Sequence, residues 1–126
     1  MARILIVEDN PDNMELMVYL IQTFGHTVLE AENGEKGLEI VEQAIPDLIL
    51  CDIQMPSIDG YEFLRRLKLD AKLVAVPVVA VTAYAMVGDR DKVLNMGFNG
   101  YIPKPINPET FVKEIESFLN SESDKE

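Results

Sequence analysis

The sequence predicts an α/β domain in which five strands alternate with five helices, a (βα)5 pattern giving a mostly parallel, doubly covered sheet. Three observations carry this. Continuous apolar runs such as Ile4-Leu5-Ile6-Val7, Leu48-Ile49-Leu50-Cys51 and Val78-Val79-Ala80-Val81 lack in-out alternation, which marks strands buried on both faces. Stretches with apolar residues at helical spacing lie between the runs. The connections are short and rich in Pro, Gly, Asn and Asp.

Residues 4–7 make the first strand, closed by Glu8-Asp9. Asn10-Pro11 supplies an N-cap and a proline at the first helical position. Met17, Leu20, Ile21 and Phe24 then mark one helical face, ended by Gly25. His26, in the following turn, reads as a solvated loop residue. Residues 27–31 are less apolar, which suits an edge strand. Asn33-Gly34 opens a second helix with Leu38, Val41 and Ile45 inward and Pro46 as its stop. The central strand, 48–51, runs into Asp52 and the turn-rich segment 55–60, after which a third helix buries Phe63, Leu64 and Leu67. A strand over 78–82 follows. Residues 83–97 read as a thin, shallowly buried helix around Val93, Leu94 and Met96. A brief strand over 100–103 leads to Lys104-Pro105, and Asn107-Pro108-Glu109 starts a last helix with Phe111, Ile115, Phe118 and Leu119 inward. Residues 1–120 make one domain, with 121–126 a frayed, disordered acidic tail.

The chain has 126 residues, enough for a single core, and no apolar run long enough to cross a bilayer. Its net charge is −11, from 22 acidic and 11 basic residues. Nucleic acid and anionic membranes require the opposite sign, so neither is an expected partner. The first residues lack a secretory cleavage pattern, and the single cysteine, Cys51, has no partner for an internal disulfide. Cys51 is read as a packing residue, and a reducing cytoplasm is the expected location. A phosphate-binding GxxxxGK[ST] loop, a GxGxxG fingerprint, a zinc ligand set and a Ser-His-Asp triad are all missing.

The strand ends are more informative. Strand one ends on Glu8-Asp9, strand three on Asp52, strand four on Thr82 and strand five on Lys104. A parallel sheet brings its C-terminal strand ends to one edge, where α/β proteins bind ligands. Three carboxylates gathered there repel unless a cation offsets them, and hard oxygen ligands suit Mg²⁺. Carboxylates, Mg²⁺, a lysine and a hydroxyl form a phosphoryl-transfer set. An aspartate can itself be the nucleophile and form an aspartyl phosphate. Asp52 stands alone at the central tip and is the natural acceptor, with Glu8 and Asp9 as the metal pair.

At these residues the sequence resembles the receiver domains of two-component response regulators, over about 3–119. The likeness rests on Ile6-Val7-Glu8-Asp9-Asn10, on Asp47 through Pro56, on Asp59-Gly60, on Val79 through Ala83 and on Tyr101-Ile102-Pro103-Lys104-Pro105. Asn10, Asn13 and Ala83-Tyr84-Ala85-Met86 look especially like single-domain regulators of the DivK type and like receivers of hybrid histidine kinases. The resemblance implies a flavodoxin-like sheet of order 2-1-3-4-5. It implies Asp52 as phosphoacceptor from a histidine kinase or histidine phosphotransfer protein. Mg²⁺, or Mn²⁺ in its place, would be held by Asp9, Asp52, the Gln54 backbone carbonyl and, through water, Glu8. Lys104 would hold a phosphoryl oxygen after a cis Lys104–Pro105 bond, Thr82 and Tyr101 would act as the switch pair, and Gln54 and Tyr84 would tune dephosphorylation.

The expected function is therefore a stand-alone, phosphorylation-controlled binding module rather than a turnover enzyme. Its downstream protein partner would read the 83–120 surface, and the chain is expected to be a monomer or weak dimer. It starts at strand one and stops soon after helix five, which favours a complete protein over an excised hybrid-kinase receiver. A Mg²⁺-dependent aspartyl-phosphate phosphatase is the alternative from another class, weakened by Gln54 where a general acid would stand. A flavin carrier is disfavoured by the acids ending strand one.

Overall fold

The computed structural model describes residues 2–83 and 88–123, with side chains up to residue 119. Five strands, β1 (Arg3–Val7), β2 (Thr27–Ala31), β3 (Leu48–Cys51), β4 (Val78–Thr82) and β5 (Gly100–Pro103), form one parallel sheet of order β2-β1-β3-β4-β5. Helices α1 (Pro11–Thr23), α2 (Gly34–Gln43), α3 (Gly60–Leu67), α4 (Asp89–Asn95) and α5 (Phe111–Ser123) follow the strands in turn. The predicted α/β architecture and strand order are those observed, with β2 at an edge.

Successive side chains on a strand point to opposite faces, and this divides the core in two. Leu5, Val7, Ile49, Cys51, Val78 and Ala80 pack with Val41, Phe63, Leu67 and Val93, beneath α2, α3 and α4. Ile4, Ile6, Leu48, Leu50, Val79 and Val81 pack with Met17, Ile21, Phe111 and Ile115, beneath α1 and α5. Strands with both faces covered explain why the sequence shows runs instead of alternation.

The helix starts follow the local chemistry. Asn10 caps α1 by accepting from the Asp12 and Asn13 N–H groups at 2.9 and 3.0 Å, with Pro11 at the first helical position. Asn33 caps α2 through the Lys36 N–H, and Asp59 caps α3 through the Glu62 N–H. Gly25 ends α1 at φ +89°, a conformation that glycine adopts without cost.

Several expectations are corrected. Phe24 is 53 % exposed rather than part of the α1 core face, because the chain has already left the helix there. Ile45 is also exposed, since α2 ends at Gln43 and the Ala44 backbone is extended before Pro46 can act. Met96 is exposed after the short α4, leaving Val93 as its fully buried residue. The last helix begins at Phe111, after a turn in which the Thr110 and Phe111 N–H groups both donate to the Asn107 carbonyl. It continues to Ser123, into the stretch expected to fray; residues 124–126 lie outside the described residues. His26 is not a solvated loop residue. Its ring is 10 % exposed, accepts from the Ala2 N–H at Nδ1 (3.1 Å) and meets Glu116 of α5 at Nε2 (2.7 Å).

Candidate functional site

The strand register builds the site. Val7 pairs with Cys51, so the next residues, Glu8 and Asp52, emerge side by side at the C-terminal edge. The Asp52 N–H donates to the Val7 carbonyl at 3.1 Å, and the Glu8 N–H to that of Ala31 at 3.0 Å, carrying the ladder one residue beyond the strands. Across the sheet, Thr82 pairs with Pro103, and the Lys104 N–H donates to the Thr82 carbonyl at 2.9 Å.

Alternation then sorts the side chains. Glu8, Asp52 and Lys104 extend the rows of Ile6, Leu50 and Ile102, on the α1/α5 side of the sheet. Thr82 extends the row of Val78 and Ala80 on the other side, where Tyr101 also packs. The trio on the first side is in direct contact. The Lys104 ammonium is 2.8 Å from Asp52 Oδ2 and 2.8 Å from Glu8 Oε1. The first contact is an aligned hydrogen bond; the second is an ion pair out of line for one, so buried Glu8 Oε1 has no hydrogen-bond partner. Glu8 Oε2 accepts from the Asn10 N–H at 3.1 Å, and Asp52 Oδ1 from the Gln54 N–H at 3.1 Å.

Asp9 completes the cluster from the exposed side. One carboxylate oxygen from each of Glu8, Asp9 and Asp52 lies within 4.8 Å of the others. Three carboxylates against one ammonium leave two negative charges, the deficit that a divalent cation cancels. A buried Glu8 oxygen that has an ion pair with Lys104 but no hydrogen bond, and an all-oxygen donor set, both fit such an ion. Asp9 and Gln54 also line a shallow recess of about 330 Å³ with Met55, Pro56 and Tyr61, giving the cluster access to solvent.

Burial raises the Glu8 pKa, partly offset by Lys104 and by the Asn10 N–H. Burial also works against the Lys104 charge, but Asp52 and Glu8 outweigh it and hold the ammonium above its usual pKa. Cys51 is buried, and desolvation followed by the nearby Asp52 and Glu8 charges pushes its thiol well above the usual value. It is a packing residue, not a nucleophile. Tyr101 is half-buried, and burial, then Asp89, raises its phenol. Thr82 is fully buried. Of the residues marked out by sequence, Glu8, Asp9, Asp52 and Lys104 come together as one cluster. Gln54 borders it, Thr82 and Tyr101 stand behind the sheet edge, and Tyr84 lies outside the described residues. The Lys104–Pro105 bond is cis, as the resemblance implies.

Sequence reasoning missed how the β3–α3 loop is held. Ser57 has φ +71°, unusual for a residue with a side chain, and its hydroxyl donates to Glu35 of α2 at 2.7 Å. Ile58 packs so closely on Gly34 that a Cβ there would sit 2.6 Å from its side chain. The run Ser57-Ile58-Asp59-Gly60 signalled a turn, but its tether is long-range and left no local mark.

A family model for the response regulator receiver domain matches residues 4–116. The chain is 42 % identical over 116 residues to the polar-differentiation response regulator DivK of Brucella anthropi, covering 92 % of this chain and 94 % of that protein. Among solved structures, it superposes on a CheY-like response regulator receiver domain protein from Methanospirillum hungatei with a TM-score of 0.90 at 28 % identity, covering 100 % and 99 % of the two chains. It also superposes on the receiver domain of a sensor histidine kinase from Pseudomonas aeruginosa, described with magnesium coordinated in its active site cleft, with a TM-score of 0.86 at 30 % identity over 94 % and 98 %. The family match takes in β1 from Ile4, the other four strands and each of the strand-end residues, and the chain belongs to the response regulator receiver domains, the signalling domains of two-component systems.

Proposed function

We propose that this chain is a single-domain response regulator in which Asp52 accepts a phosphoryl group from the phosphohistidine of a histidine kinase or phosphotransfer protein. The supporting observation is the meeting of Glu8, Asp9 and Asp52 within 4.8 Å, with the Lys104 ammonium 2.8 Å from Asp52. An Asp52 carboxylate oxygen forms the new bond to phosphorus as the bond from phosphorus to the imidazole nitrogen breaks; that nitrogen keeps the electron pair, and the histidine leaves as a neutral imidazole whose other ring nitrogen carries the proton. The Gln54 N–H and Lys104 orient the carboxylate. Mg²⁺, or Mn²⁺ in its place, would be held by Asp9 and Asp52, with Glu8 behind them and the Gln54 carbonyl beside them. When bound, it neutralises the carboxylates and the transferring oxygens.

The phosphoryl group adds charge and acceptor oxygens, which Lys104 would bond from where it stands and Thr82 would reach by moving. Tyr101, on the same face as Thr82, turns inward behind it, and Gln54 tunes how long the group lasts. A downstream protein then reads the 83–120 surface. Incubation with acetyl phosphate and Mg²⁺ should add one phosphate per chain by intact mass, and Asp52→Asn should add none. Incorporation persisting in Asp52→Asn, or many phosphates hydrolysed per chain, would overturn the proposal, the latter in favour of a phosphatase. Beryllofluoride with Mg²⁺ should shift amide signals across 83–105; shifts confined to residues touching the ligand would count against the switch. The likeness to a kinase receiver domain supports a second reading, that the chain is part of a hybrid kinase. The size of the native polypeptide in cell extracts separates the two.

A further inference from the structure

A groove of about 620 Å³ runs beside the carboxylate cluster, between α1 and the β2 edge. On the α1 side it follows Pro11, Met14, Glu15, Val18, Tyr19 and Gln22, which are spaced three or four apart. Such spacing is one stripe of a helix, here about three turns or ~16 Å long. Glu30 and Glu32 from the end of β2 and Lys36 of α2 line the other side, and Glu8 and Asp9 close the end nearest Asp52. Asn13 and Met17 instead line a separate small recess with Lys104 and Ile106, so the groove is not the α5 side of α1.

Two features define what would fit. Pro11, Met14, Val18 and Tyr19 give the α1 side an apolar surface, and Tyr19 is 67 % exposed, a large aromatic with its ring in water. The rim places five carboxylates against the single Lys36 ammonium among the described residues. We propose that this groove docks a cationic amphipathic helix of a partner protein, its apolar face against Val18 and Tyr19 and its Lys or Arg side chains along the acidic rims. A groove lined along one side by a single helical stripe suits a second helix laid alongside.

Glu8 and Asp9 belong both to the groove and to the carboxylate cluster. A basic side chain at that end and a divalent cation therefore compete for one charge, and each weakens the other by the same factor. This coupling rests on the metal reading of the site; the docking itself does not.

The test uses the full chain, ¹⁵N-labelled and free of divalent cations. It is titrated with a Leu/Lys peptide of about 15 residues patterned as an amphipathic helix. A scrambled peptide of identical composition and a Leu/Glu counterpart are the controls. Saturable shifts confined to residues 11–22 and 28–36, absent with both controls, are the expected result. Tyr19→Ala, which removes an exposed ring and leaves the core intact, should weaken binding about tenfold. Equal binding of the scrambled peptide, or shifts scattered over the acidic surface, would reduce the effect to net charge and overturn the proposal. Adding Mg²⁺ should weaken the patterned peptide several-fold. Localised docking that Mg²⁺ leaves untouched would refute the shared-carboxylate coupling while the groove stands.

Discussion

Gly60 packs directly against the backbone at Asp52, and filling it tests whether loop packing positions the carboxylate. A Cβ on Gly60 would stand 2.7 Å from the Asp52 carbonyl oxygen and 2.8 Å from the Ile53 Cα. Both are backbone atoms, so no side-chain rotation relieves the contact. The Gly60 N–H also donates to the Ile53 carbonyl at 2.8 Å, pinning the loop at the same point. Overpacking of this kind costs ~1–3 kcal/mol. The helix preference of Ala over Gly returns at most ~1 kcal/mol, and less in the first turn where Gly60 sits. We expect Gly60→Ala to lose about 1–2 kcal/mol, a fall in Tm of roughly 4–8 °C for a domain of this size. Phosphorylation by acetyl phosphate should slow, because Asp52 moves with the loop. Gly25→Ala is the control. Its Cβ meets nothing within 4 Å, but φ +89° is unfavourable for Ala, so it should cost ~1 kcal/mol or more with phosphorylation unchanged. Urea denaturation measures stability in both variants. A Gly60→Ala chain as stable as the parent and phosphorylated at the parental rate would refute the packing argument.

Removing the ammonium in Lys104→Met leaves two buried carboxylates facing each other. Urea denaturation at neutral pH should show a loss near the low end of the ~3–5 kcal/mol that breaking a buried pair costs, since the crevice is open to water. The Glu8 pKa is already raised in the folded chain, so protonation favours that state, and the deficit should shrink as pH falls through the carboxylate range. A deficit that grows on acidification would show that repulsion is not its source. His26→Ala removes the acceptor for the Ala2 N–H and the partner of Glu116, and should lower the unfolding free energy by ~1–3 kcal/mol. An unchanged urea midpoint would mean that water replaces both contacts. Glu62 is held by Arg65 and Arg66 at 2.6 to 2.9 Å, which lowers its pKa to about 2. Its small contribution is therefore complete above the unfolded carboxylate value and lost as pH falls toward about 2. A carboxyl NMR titration should find that midpoint, rising toward the ordinary value in high salt.

Much of the site was legible because parallel strands turn local signals into spatial ones. Each apolar run ended on a polar residue, and a parallel sheet sends all such ends to one edge. Glu8, Asp9, Asp52 and Lys104 could thus be grouped although residues 8 and 104 are far apart in the chain. Face was harder to read. The inner strands are covered on both faces, so composition did not say that Lys104 joins Glu8 and Asp52 while Thr82 lies with Tyr101 across the sheet. That division follows from register, which is settled by hydrogen bonding between strands. His26 was misread because its partners, Ala2 and Glu116, are distant in sequence, and nothing near position 26 announces them. Phe24 and Ile45 matched the helical period but fell beyond their helix ends, where periodicity no longer governs burial.

By itself, the sequence determined the five-fold alternation, the sheet buried on both sides, the helix caps and the identity of the strand-end residues. Each depends on a few neighbouring positions whose preferences the chain carries locally. Tertiary structure alone decided which oxygens meet which nitrogens: the Lys104 bridge to Asp52 and Glu8, the Ser57 tether and the groove along α1. Those depend on distances between segments, and such distances exist only once the sheet has closed.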